Sequence, residues 1–111
     1  MIMAKRPKQS QSLAFDPELA ELPLENRWRE WMNRIEAVLF AAPKPVVREA
    51  LARIVGRDAS IELLIDDIRA DLKGRPYELV SVAGGWQLRT RPAYADAISA
   101  SMATPERHVD F

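Results

Sequence analysis

An α+β winged helix-turn-helix fold is predicted by three features of this 111-residue sequence. Apolar residues recur at helical spacing in three successive stretches between about Glu25 and Lys73. Two strand-forming runs follow, Tyr77 to Ala83 and Trp86 to Arg91, with Gly84-Gly85 between them. Glycine takes positive φ at the least steric cost, which tight hairpin turns require. A lone two-stranded hairpin is marginal in water, so it must lie against the helices before it. The second and third helices, joined by a short turn, make the helix-turn-helix, and the hairpin is the wing.

Composition bounds the function classes. Sixteen basic residues balance sixteen acidic ones, so no global field draws the chain to nucleic acid or an anionic membrane. The sequence has no cysteine, which excludes disulfides and thiolate metal sites and suits the cytoplasm. Its apolar runs fall far short of the roughly 20 residues that cross a bilayer. Lys5, Arg6 and Lys8 are followed by polar residues and not by the apolar core of a secretory signal. A soluble intracellular protein is expected.

Residues 1–24 are rich in Lys, Gln, Ser and Pro and show no sustained period, so a flexible N-terminal segment is expected there. A winged-helix domain is expected over 25–98 and a C-terminal tail over 99–111. Trp28, Trp31, Met32, Ile35, Val38, Leu39 and Ala42 mark one face of the first helix. Trp28 and Trp31 are candidates for a protein interface, although their place on the apolar stripe favours core packing. Phe40 lies off that stripe, either as an interface residue or packed under the wing. Pro43-Lys44-Pro45 ends the helix.

A second, weakly capped helix is expected over Val47–Val55, with Val47, Ala50, Leu51, Ile54 and Val55 inward and Gly56 as its stop. Ser60 is a good N-cap for a third helix to about Lys73, with Ile61, Leu64, Ile65, Ile68 and Leu72 inward. In the hairpin, a Gly-Gly loop pairs Leu79 with Thr90 and Glu78 with Arg91. A three-residue loop pairs Val80 with Leu88 and Val82 with Trp86, and is preferred because it clusters more apolar surface. After Pro92, Tyr94 and Ile98 share one face of a short helical turn.

These residues resemble the segregation and condensation protein B family. The resemblance rests on Ile35-Glu-Ala-Val-Leu-Phe-Ala-Ala, Pro45-Val46 leading into Leu51-Ala52, Gly74-Arg75 before Tyr77-Glu-Leu-Val, and Val82-Ala-Gly-Gly-Trp-Gln-Leu-Arg-Thr-Arg-Pro-Ala-Tyr94. It spans about residues 33–95. Family members are accessory subunits of the bacterial condensin, bound to its kleisin subunit and through it to the SMC ATPase. The resemblance therefore implies a non-catalytic adaptor in chromosome condensation and segregation, in the nucleoid-associated cytoplasm. It implies a kleisin partner, a homodimer, and DNA reached only indirectly through the complex. Two departures stand out. Family members carry two winged-helix units, and no second such pattern follows Ile98, so the chain is expected to be the first half of such a protein, as a fragment or a shortened relative. The turn Pro43-Lys44-Pro45-Val46-Val47 also lacks the Gly, acidic and hydroxyl residues common there.

No chemistry of catalysis can be assembled. His108, the sole histidine, stands in an unpatterned stretch without a base or an orienting partner. Asp66, Asp67 and Asp71 read as a solvent face, because adjacent helical residues point about 100° apart. No cofactor or metal site is expected, and the four glycines form no phosphate loop. DNA binding, the rival function for this fold, needs a basic recognition helix. The third helix instead carries Glu62, Asp66, Asp67 and Asp71 against Arg69 and Lys73. Lys73, Arg75, Arg89 and Arg91 near the base of the wing are candidates for weak phosphate contacts, or ordinary solvated charges.

Overall fold

Helix α1 (Leu24–Ala41) forms where the sequence carries its longest apolar stripe, and Trp31, Met32, Ile35 and Leu39 of that stripe are buried. This is the first long element of a computed structural model that describes residues 15–104. After α1 come β1 (Val46–Val47), α2 (Arg48–Ala52), α3 (Ile61–Asp71), β2 (Tyr77–Val82) and β3 (Gly85–Thr90). A 3₁₀ turn at Pro92–Tyr94 leads into α4 (Ala95–Ser101). Lys5, Arg6, Lys8 and His108, weighed in the sequence analysis, lie outside the described residues.

The core is a single cluster between the helices and one face of the sheet. Ile35, Leu51, Leu64, Ile65 and Ile68 are its largest fully buried side chains, with Val46, Val55, Ile61, Leu72 and Leu79 around them. Fully burying a side chain of this size contributes about 1.5–3 kcal/mol. The α3 stripe expected from the sequence is buried at every position. Ser60 caps α3 as expected, its Oγ accepting from the Leu63 amide at 3.2 Å.

The second helix differs from expectation. It is only five residues long, and Val47, expected inward, is exposed. Val46 and Val47 instead form β1, pairing with Trp86 and Gly85 of β3. The sheet therefore has three antiparallel strands in the order β1-β3-β2, where the hairpin alone was expected. After Ala52 the chain tightens into i→i+3 bonds from Arg53 to Ala50 and from Ile54 to Leu51.

Neither expected hairpin register is adopted. Leu79 pairs with Leu88 and Val82 with Gly85, which leaves Ala83-Gly84 as a two-residue loop. Both loop residues have positive φ, 45° at Ala83 and 81° at Gly84, the signature of a type I′ turn. Gly85 serves a different need. A Cβ there would lie 2.5 Å from the Val46 carbonyl oxygen, so β1 reaches β3 only because this position has no side chain. The second glycine of the pair is spent on strand approach, and the turn slides one residue back onto alanine.

Residues 16–22, within the stretch read from sequence as an N-terminal segment, run across α1 and the turn after α2. The Asp16 carboxylate accepts from the Glu18 and Leu19 amides, and Glu18 accepts from the Arg57 amide at 2.8 Å. Arg34 donates to the carbonyls of Asp16 and Ile54. Leu19 packs on the core.

Candidate protein-docking site

The described residues are marked by one groove rather than by any cluster of reactive groups. It lies between the outer face of α1 and the open end of the hairpin, with a volume of about 620 Å³. Asn33, Glu36, Ala37 and Phe40 line it from α1, and Tyr77, Leu88, Arg89 and Thr90 line it from the strands. The helix residues recur at i, i+3, i+4 and i+7, a second stripe beside the core-facing one. Phe40 is 83% exposed, so the alternative of packing under the wing does not hold. The other members of the stripe escaped the sequence reading because two of them are polar; the i+7 spacing back from Phe40 to Asn33 was the available signal.

The two tryptophans separate. Trp31 is 5% exposed, and its Nε1 donates to the Pro17 carbonyl at 2.7 Å. It is a core residue under the segment 16–22 and offers no surface to a partner. Trp28 is half-buried, meets Trp31 edge-to-face at 6.3 Å between ring centroids, and donates to Asp67 at 2.7 Å. It borders a second, shallower apolar hollow with Pro23, Leu24 and Glu25.

The acids of α3 are engaged within the chain. Glu62 takes two bonds from Arg48, at 2.9 and 3.0 Å, which pulls its carboxyl down from 4.5 to about 2. Asp71 accepts from Arg29 at 2.6 Å and raises that guanidinium's pKa, first by the hydrogen bond and then by charge. Arg69, one of the two basic groups of this stretch, bonds the Leu79 carbonyl and Ser81 Oγ. Only Lys73 of this helix and its end is left without such a partner among the described residues, so α3 presents no basic surface for a phosphate backbone.

Nor do the four basic residues near the wing form a phosphate cradle. Arg91 donates to the carbonyls of Leu72 and Arg75 and to Glu78, at 2.7–3.1 Å. It closes the end of α3 onto the hairpin, so its assignment to phosphate is corrected to a structural one. Arg75 stacks on Tyr77 with its guanidinium carbon 5.7 Å from the ring centroid, and Lys73 and Arg89 are exposed. No group of three or more metal-ligating side chains occurs among the described residues. No helix among them is long and apolar enough to cross a membrane. The arrangement is suited to holding another macromolecule by apolar contact.

Residues 33–109 match the family model described as segregation and condensation complex subunit ScpB. The segregation and condensation protein B of Syntrophotalea carbinolica is 45% identical over 65 residues, covering 56% of this chain and 33% of that protein. The protein of the same name from Desulforamulus reducens is 40% identical over 70 residues, covering 60% of this chain and 38% of that one. The chain thus spans about a third of the length of these relatives. Among solved structures, a conserved hypothetical protein from Chlorobium tepidum aligns with a TM-score of 0.62 at 21% identity, over 77% of this chain and 56% of that one. A dimer of a ScpB N-terminal domain complexed with a ScpA peptide aligns with a TM-score of 0.59 at 21% identity, over 67% of this chain and 96% of that one. At this identity the two structures bear on the fold, which is the winged helix.

Proposed function

The chain belongs to the segregation and condensation complex subunit ScpB family, and from that premise we propose that it is a non-catalytic adaptor in chromosome condensation and segregation. It associates with a second copy of itself and holds a kleisin subunit of the SMC complex, reaching DNA through that complex in the cytoplasm. The observation that carries this reading is the groove beside Phe40, an apolar surface open to solvent on a fold whose other candidate surface, α3, is acidic. A winged helix that reads DNA needs basic groups on that helix. Here the acids hold Arg29 and Arg48, and Arg69 is tied to the hairpin. The related ScpB domain was crystallised both as a dimer and with a ScpA peptide, which is the behaviour proposed for this chain.

Two titrations test the proposal. A labelled ScpA peptide should bind saturably, and duplex DNA should bind with Kd on the order of 10⁻⁴ M or weaker at physiological salt. Absent peptide binding together with submicromolar, steeply salt-dependent duplex binding would install a DNA-binding transcriptional regulator in place of the adaptor.

A further inference from the structure

Residues 15–22 lie across α1 and the turn after α2 as a strap, ahead of the residues 33–109 that the family model matches. Every hydrogen bond that ties this strap to the rest of the described chain runs in one direction. Trp31 Nε1 donates to the Pro17 carbonyl at 2.7 Å, and Arg34 to the Asp16 carbonyl at 2.9 Å. The Arg57 amide donates to the Glu18 carboxylate at 2.8 Å, and Arg27 to the Leu22 carbonyl at 3.1 Å. The strap's own amides at Glu18 and Leu19 are satisfied internally, by the Asp16 carboxylate. The Arg34 guanidinium carbon also stands 4.5 Å from the Phe15 ring centroid. Gly56 lets the strap close, because a Cβ there would meet the Trp31 ring at 2.7 Å and Glu18 Oε1 at 3.2 Å. The domain thus presents a channel of donors, which selects an acceptor-rich, acidic, extended segment. The strap is held lightly. None of its residues is buried, and Leu19, its apolar anchor on the core, keeps a left-handed φ of 52° that opposes closure.

We propose that the channel over Trp31 and Arg34 is a peptide-reading site and that the strap is its displaceable occupant in cis. The partner it takes is an acidic protein segment with the strap's own pattern, an aromatic residue followed by Asp-Pro-Glu-Leu. Trp31 offers no surface while the strap is down. Lifting the strap uncovers its Nε1 together with Arg34 and the Arg57 amide. A ligand tethered beside its site acts at an effective concentration of about millimolar, so a free segment binds well only once the strap is released. This goes beyond the adaptor reading and does not depend on the groove beside Phe40.

The test titrates the full chain against a labelled synthetic peptide of residues 15–22, FDPELAEL, by fluorescence anisotropy. Two variants release the strap by different contacts, with circular dichroism to verify folding. Leu19→Asp removes the apolar anchor, and Glu18→Lys sets a cation where the Arg57 amide needs an acceptor. Each should bind the peptide at least about tenfold more tightly than the wild-type chain, whose own strap competes. In the Leu19→Asp chain the Trp31 indole proton should exchange faster by NMR and regain protection when the peptide is added. Arg34→Ala in that background should lose the peptide, and a peptide carrying both strap changes should fail to bind. Equal affinity of the wild-type chain and the two variants overturns the proposal, as does absent binding to both variants. An indole proton that bound peptide leaves unprotected overturns it as well. Loss of the fold in both strap variants also overturns it, since the strap is then a fixed part of the core and not a displaceable occupant.

Discussion

Leu63 and Leu64 are neighbours on one helix with opposite environments, and replacing each with alanine isolates what burial contributes. Leu64 is 0% exposed in the centre of the core, whereas Leu63 is 57% exposed. Both changes have the same intrinsic helix preference, so α3 propensity cancels in the comparison. Leu64→Ala removes three carbon groups from the interior, about 2.4 kcal/mol at about 0.8 kcal/mol for each. The cavity left behind raises the loss into a range of about 2–5 kcal/mol. A domain of this size has about 5–15 kcal/mol in total, so the loss is a large share. Urea unfolding followed by circular dichroism should show the Leu64→Ala midpoint lowered by about 1–3 M. Leu63→Ala should cost less than about 0.5 kcal/mol, as surface changes do. Equal losses at the two positions, or a Leu64→Ala loss below about 0.5 kcal/mol, would falsify the placement of α3 and of the core built on it.

Other expectations follow from particular contacts. Ala83→Gly relieves a left-handed alanine and should stabilise the chain by about 0.5–1 kcal/mol, after the entropy lost to the more flexible unfolded chain. Gly85→Ala should do the reverse and open the β1–β3 pairing, visible as faster amide exchange around Val46 and Trp86. Arg91→Lys keeps the charge but loses the planar fork that joins Leu72, Arg75 and Glu78, and should cost about 1–3 kcal/mol by thermal or urea unfolding. Glu62 has a depressed folded pKa, so its pairing contributes stability above the unfolded value of 4.5 and loses it as pH falls toward about 2. The pair is exposed and screened, so the effect should be small and salt-sensitive. Carboxyl titration by NMR should show the Glu62 pKa rising toward the ordinary range in Arg48→Ala; an unchanged value would remove Arg48 as the cause.

The two long helices were legible because their signals are local and periodic. Ile61, Leu64, Ile65, Ile68 and Leu72 lie one turn apart, and Ser60 caps its own helix three residues on. The hairpin was legible as an element but not in register. Its turn falls on Ala83, a residue with no special preference for positive φ, because Gly85 is taken by the approach of Val46 some forty positions away in sequence. β1 left no trace, since two residues show no period and their partner is remote. The division between Trp28 and Trp31 was hidden for the same reason. Helical spacing places both on one stripe, and only the non-local Pro17 carbonyl and the Asp67 carboxylate separate them. Phe40 was legible by its position off the stripe, but the groove beside it needs the strands to be in place.

The central claim is that this winged helix docks protein and does not read DNA. Its most direct test is sedimentation velocity of the full chain mixed with labelled duplex, over a range of protein concentrations and at two salt levels. The expected result is a protein boundary that shifts from monomer to dimer as concentration rises, while the duplex sediments alone at both salts. A strictly monomeric chain that carries the duplex with it at submicromolar concentration, and releases it as salt is raised, would contradict the claim.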